Sequence, residues 1–168
     1  MNYSWVIIFL VLIFFVSDCA QKPSTPSLSR TSNVQDEKLS DEDSIREIVF
    51  VAMLRPWIQN KNNRKTIYYI TINDNEDPSD SLLEKLRTLK GIFEKDSECM
   101  IERGSVVNKT TKKPGVRFSV SKIEWIGTNE VKLSGGSELG YTGGDVCKYT
   151  LKRNGDEWIM STSDCYIS

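Results

Sequence analysis

An unbroken apolar run from Trp5 to Val16 sets the first limit on what this chain can fold into. Spanning a bilayer takes about 20 mostly apolar residues, and Asp18 ends the run well short of that. As a core helix it would have to be buried on every side, because it has no polar face to turn to water. The run therefore reads as the core of an export signal, although Met1 to Trp5 holds no Lys or Arg and only the α-amino group supplies the usual positive charge.

The next four residues, Val16-Ser17-Asp18-Cys19, resemble a bacterial lipobox, whose order is aliphatic, small, small, then the cysteine that receives lipid. Asp18 departs from the pattern, which has Gly, Ala or Ser there. The resemblance implies residues 1–19 as a signal peptide and Cys19 as the lipidated residue. Ordinary cleavage after Cys19 or Ala20, giving a secreted protein, and an uncleaved anchor stay open. Gln21 to Ser40 contains Pro23, Pro26 and seven Ser or Thr among only scattered aliphatics. Such a stretch cannot bury enough surface to offset the entropy of ordering, so 20–40 is expected to be a flexible linker.

About 130 residues remain from Asp41 to Ser168, the size of one domain with one core. The chain has 22 Lys and Arg against 23 Asp and Glu, and only Asp18 among these lies in the signal, so the exported part is charge-balanced. That balance argues against nucleic acid as a partner, since neutralising phosphates dominates such binding. A run of cations at Lys109, Lys112 and Lys113 reads as a solvated turn.

Within 41–168 the hydrophobic period changes twice. Ser40 and the acids after it cap a first helix to about Arg55, with Ile45, Ile48, Val49, Ala52 and Met53 at helical spacing and a bend at Pro56. Thr66 to Ile72 is dense in β-branched and aromatic residues and predicts a strand covered on both faces. Asp77 as N-cap and Pro78 at the first helical position start a second helix, with Leu82, Leu83, Leu86, Leu89 and Phe93 as its buried face. Strands follow at Val116-Val120, Val131-Leu133, Val146-Leu151 and Trp158-Thr162. A bulge is expected near Ser121-Lys122, where the apolar alternation changes phase.

Three cysteines fall in the domain, and in an oxidising compartment three can form one disulfide and leave one thiol. Cys147 and Cys165 flank the Asn154-Gly155 turn at nearly equal distances, so the hairpin brings them together. Three buried thiols remain the alternative if the chain is not exported.

The chain contains no histidine. This excludes Ser-His-Asp and Cys-His catalysis and His-ligated zinc. Asn73, Asn75, Asp77, Ser79, Ser81 and Glu84 have the spacing of calcium-loop oxygens, but helix capping accounts for the same residues. No catalytic, metal or cofactor site is expected. Glu138 and Asp145 are the carboxylate pair a histidine-free hydrolase would use.

Tyr69-Ile70-Thr71-Ile72 with Asp77-Pro78-Ser79-Asp80, then Val116-Arg117-Phe118, Ile123-Glu124-Trp125 and the closing Arg153-Asn154-Gly155-Asp156-Glu157-Trp158-Ile159 resemble small uncharacterised bacterial envelope proteins of cystatin-like or NTF2-like shape. The resemblance covers about Asp41 to Ser168. It implies an α+β domain with two helices packed on one face of a curved antiparallel sheet of about five strands. It also implies a concavity between helix and strands, for which Trp57, Tyr69, Trp125 and Tyr141 are the candidate contact residues. The expected function is a non-catalytic binding or interaction module, exported and tethered to a membrane through lipid on Cys19, with an envelope protein as partner. A carboxylate-based hydrolase is the alternative.

Overall fold

Ile67–Ile72 forms strand β1, and all six of its residues are buried. In the computed structural model, which describes residues 30–63, 65–141 and 143–167 and only the backbone of 30–40 and 167, the two faces of β1 meet different cover. Tyr68, Ile70 and Ile72 join the main core. Ile67 and Tyr69 point the other way, into a second cluster with Cys99 and Val106.

The main core lies between one face of the sheet and two helices. Helix α1 (Arg30–Gln59) contributes Ile45, Val49, Phe50 and Leu54, and α2 (Asp80–Arg87) contributes Leu82, Leu83 and Leu86. The remaining strands are β2 (Ile92–Lys95), β3 (Cys99–Glu102), β4 (Ser105–Asn108), β5 (Gly115–Val120), β6 (Glu124–Trp125), β7 (Glu130–Glu138), β8 (Asp145–Asn154) and β9 (Glu157–Ile167). Strands β3 and β4 form a separate hairpin over the second cluster. Its two-residue turn, Arg103-Gly104, has both φ values positive, at 51° and 82°. That is the twist a tight hairpin needs.

The expected five-stranded antiparallel sheet of cystatin-like or NTF2-like form is overturned. The main sheet has seven strands in the order β2-β1-β5-β7-β8-β9, with β6 added on β7. It is mixed, because β1 runs parallel to both β2 and β5 while β5 to β9 pair antiparallel. The source of the difference is the stretch after α2. Phe93 belongs to β2 and not to the second helix, so β1-α2-β2 is a parallel crossover. The helix stops at Arg87, and past its cap Thr88 the chain reverses at Lys90, whose φ of 63° is a conformation that a helix cannot carry.

The helix bounds also differ from expectation. The first helix begins at Arg30, inside the stretch read as a linker, and runs through Pro56 to Gln59. Pro56 falls near its end, where losing one N–H removes one hydrogen bond with little helix left to break. At α2 the cap is Ser79, whose hydroxyl accepts from the Leu82 N–H at 3.0 Å, while Asp77 turns away to accept from the Ser97 N–H at 2.9 Å.

Two register shifts change which residues face one another. Residues 121–123 separate β5 from β6 where the facing strand has only 133 and 134, so one residue is extra, as the phase change in the sequence requires. In the last hairpin Asn154 pairs with Glu157 and Leu151 with Met160, but Thr150 pairs with Thr162, leaving Ser161 unmatched. Without that extra residue Cys165 would oppose Val146 and point to the other face. With it, Cys165 opposes Cys147 and the two form a disulfide across a sequence separation of 18.

Candidate functional site

Alternate residues of a strand share a face, so Asp145, Cys147 and Tyr149 of β8 point together toward α1. Phe118 of β5 does the same from the middle of the sheet. Against them stand Ala52, Met53, Pro56 and Trp57 from the last two turns of α1. Between the two walls lies a half-open cleft of about 230 Å³, with the Cys147–Cys165 disulfide as part of its lining. The walls approach closely because Gly135 carries no side chain: a Cβ there would sit 3.0 Å from Met53 Sδ.

Three aromatic side chains belong to the lining, the half-buried Trp57 and the buried Phe118 and Tyr149. Trp57 and Phe118 meet edge to face, with centroids 5.7 Å apart and planes at 88°. Tyr149 is buried, and burial raises its phenol above the ordinary value, so it stays a neutral hydroxyl. Asp145 supplies the charge. It is exposed at the rim, and among the described residues no hydrogen bond or ion pair engages its carboxylate.

Of the four aromatics named from the sequence, only Trp57 lines this cleft. Tyr69 is fully buried on the opposite face of the sheet. Trp125 stacks edge to face on Trp158, 5.7 Å away, as part of the packing around the β6 to β9 end of the sheet. Tyr141 is 82% exposed beside the β3–β4 turn, where its N–H donates to the Gly104 carbonyl at 3.0 Å. The structure thus does not bring the four together. The residues that complete the cleft, Met53, Phe118 and Tyr149, carry the same apolar alternation as any core position. No sequence signal separates a cleft wall from a packed core in that pattern.

The carboxylates Glu138 and Asp145 point to different faces of the sheet. Glu138 is held by Arg117, 3.1 Å from its Nη1. Arg117 also has Nε 2.6 Å from Asp96 Oδ1, an ion pair whose N–H is not aimed at the oxygen, and it donates from Nη2 to the Cys99 sulfur at 3.6 Å. This group ties the β3–β4 hairpin to β5 and β7. Residues of the calcium-like spacing also go to separate partners: Asn73 accepts from buried Arg46 and donates to Glu76, Ser79 caps α2 and donates to Asp43, and Asp77 holds Ser97. Among the described residues no group of three or more His, Cys, Asp or Glu is placed to hold a metal ion.

Cys99 is the free thiol beside this group, and it is buried. Burial first, and then the Asp96 carboxylate, push it up from 9.0 to about 11, while burial pushes Tyr69 to about 12. Both acids hold their protons more tightly folded than unfolded. Their contribution to stability is complete below the unfolded values and is lost as pH rises through the folded ones. Stability is therefore expected to fall between about pH 9 and pH 12 by an amount on the order of a few kcal/mol. Urea melts at a series of alkaline pH values check this, and a Cys99→Ala protein should show a shallower decline between 9 and 11.

Cys19 and the whole signal-like segment lie outside the described residues. Among the described residues no helix is long and apolar enough to cross a membrane. The Cys147–Cys165 disulfide suits an oxidising, extracytoplasmic compartment. Comparison with protein-family models, with curated proteins and with solved structures finds no match to this chain.

Proposed function

We propose that this protein is an exported binding module of the cell envelope, tethered to a membrane through lipid on Cys19, and that it acts through the cleft between α1 and the sheet without catalysing a reaction. The lipobox-like order at Cys19 and the disulfide support the location. The observation that carries the activity is the lining of the cleft: half-buried Trp57 and Met53 with exposed Ala52 and Pro56 form its open wall, above a floor made by the buried Phe118 and Tyr149. At about 230 Å³ the cleft is smaller than sites that enclose a drug-sized ligand, roughly 300–1,000 Å³. It suits one projecting group of a larger partner. The hydrolase alternative is disfavoured, since Glu138 is committed to Arg117 and faces away from Asp145.

Ala52 is exposed at the rim of the cleft, so Ala52→Trp should fill the mouth without disturbing the core. Retention of an envelope component on the immobilised protein is expected to drop about tenfold in this variant, at an unchanged melting temperature, if the lost contact is worth about 1.4 kcal/mol. Equal retention by both proteins would sink the cleft as the contact site. Turnover of an envelope polymer, abolished by Glu138→Gln or Asp145→Asn, would replace the module with the hydrolase.

A further inference from the structure

The Cys147–Cys165 disulfide joins two directly opposed residues, so its bond runs across the last pair of strands. A thiolate displaces a sulfur along the axis of the bond that breaks, and access decides which sulfur it reaches. The two ends differ in this respect. Behind Cys147 lies Gly135 of β7, its register partner, with Met53 over that glycine, and Cys147 is 8% exposed. Behind Cys165 the described residues place no further strand, because β9 is the edge of the sheet, and every residue from Ser161 to Tyr166 is exposed. The half-open cleft reaches the same bond from the α1 side. The third cysteine of the domain cannot exchange with it: Cys99 is buried in the cluster on the opposite face of the sheet. Pushed up to about 11, Cys99 also stays a thiol, not the attacking thiolate, near neutral pH.

We propose that the Cys165 sulfur is a thiol-exchange site, at which an external thiolate opens the disulfide and unlatches the end of β9. The incoming sulfur bonds to Cys165 Sγ as the Sγ–Sγ bond breaks, and the electron pair leaves on Cys147, which takes a proton from water. A monothiol stops at this mixed disulfide. A dithiol continues: its second thiolate attacks the sulfur already delivered, Cys165 leaves as a thiolate and is protonated, and the donor departs as its own disulfide. The donor has then lost two electrons, and the protein has gained two electrons and two protons. The segment set free is Thr162 to Ile167, which the unmatched Ser161 separates from the run next to the turn. Without the cross-link this segment is held to the sheet by its pairing with β8 alone. Cys147 and Cys165 both line the cleft, so release of the segment opens part of one wall.

The test uses the full chain, folded, with reduced glutathione as the monothiol probe and reduced thioredoxin as the protein dithiol, and acid-quenched samples mapped by peptide mass. A tenfold rise in glutathione is expected to raise the rate about tenfold, with about ten times as much adduct on Cys165 as on Cys147. A rate that levels off at the rate of global unfolding, or adduct mainly on Cys147, overturns the site. Thioredoxin separates the donors: its reaction assigns the paired thiols of a protein, and reaction with glutathione alone assigns a small thiol. Failure of both below the unfolding transition overturns the proposal. Hydrogen exchange after full reduction with dithiothreitol reads the unlatching. Amides of Thr162 to Ile167 are expected to exchange about tenfold faster while Glu157 to Met160 keep their protection, as local opening of one segment requires. Unchanged protection along all of β9 overturns the release of the strand.

Discussion

Phe118→Ala is expected to destabilise the fold by about 3–5 kcal/mol, the range for removing a large ring from a packed core. Phe118 is 1% exposed and occupies the junction of both helical and sheet elements of the core. Its ring meets Trp57 on one side and Tyr68, at 5.9 Å, on the other. The loss has two parts, the transfer of the missing carbons and the void that remains because neighbours held by the sheet cannot collapse into it. Here the void would merge with the cleft, where solvent already enters, so the lower half of the range is the better expectation. Denaturant unfolding monitored by circular dichroism checks it. A loss under about 1 kcal/mol would mean that Phe118 is not the packing centre its contacts indicate.

Removing the disulfide should cost nearly as much. The Cys147→Ala/Cys165→Ala protein is expected to lose about 3 kcal/mol, since the chain-entropy description assigns that to closing a loop of 18 residues. The double substitution is the right comparison, because a single one leaves an unpaired thiol on the exposed Cys165 side. The cross-link joins β8 to the last strand of the sheet near its open end. Loss of stability should therefore be accompanied by early exchange of the β9 amides, which hydrogen exchange would reveal. A double variant as stable as the parent, with β9 as protected as before, would show that strand pairing alone holds the end of the sheet.

Much of the C-terminal half is legible from local pattern. Alternation at Val116, Phe118 and Val120 and the phase change before Ile123 each correspond to an observed feature. The last hairpin turns one residue later than the Asn154-Gly155 reading, at Gly155-Asp156 with Asn154 paired to Glu157. Antiparallel neighbours joined by short turns carry their pairing in adjacent sequence, so reading the strands nearly amounts to reading the sheet. The N-terminal half is different. Phe93 lies four residues after Leu89, a helical spacing, yet belongs to a strand, and only the backbone reversal at Lys90 separates the two. Nothing local to β1 states that its neighbours are the parallel strands β2 and β5. The hairpin β3–β4 escapes a sequence reading because two strands of four residues give too few alternations to stand out, although Arg103-Gly104 marks its turn. The cleft is half legible: Trp57 and Asp145 stand out in the sequence for other reasons, while Phe118 and Tyr149 read as ordinary core.

Strand β9 closes the sheet with eleven residues and has β8 as its strand neighbour. Along a flat, continuous edge of that length, unpaired backbone groups would recruit the edges of other molecules, and segments of about six or seven residues suffice to seed fibrous assembly. The unmatched Ser161 interrupts this. It divides the edge into Glu157 to Met160 and Thr162 to Ile167, two short runs of differing twist, and each carries an acid, Glu157 in the first and Asp164 in the second. The single residue that turns Cys165 toward its partner is thus also a guard on colloidal behaviour, keeping a long terminal strand from offering its neighbours a template.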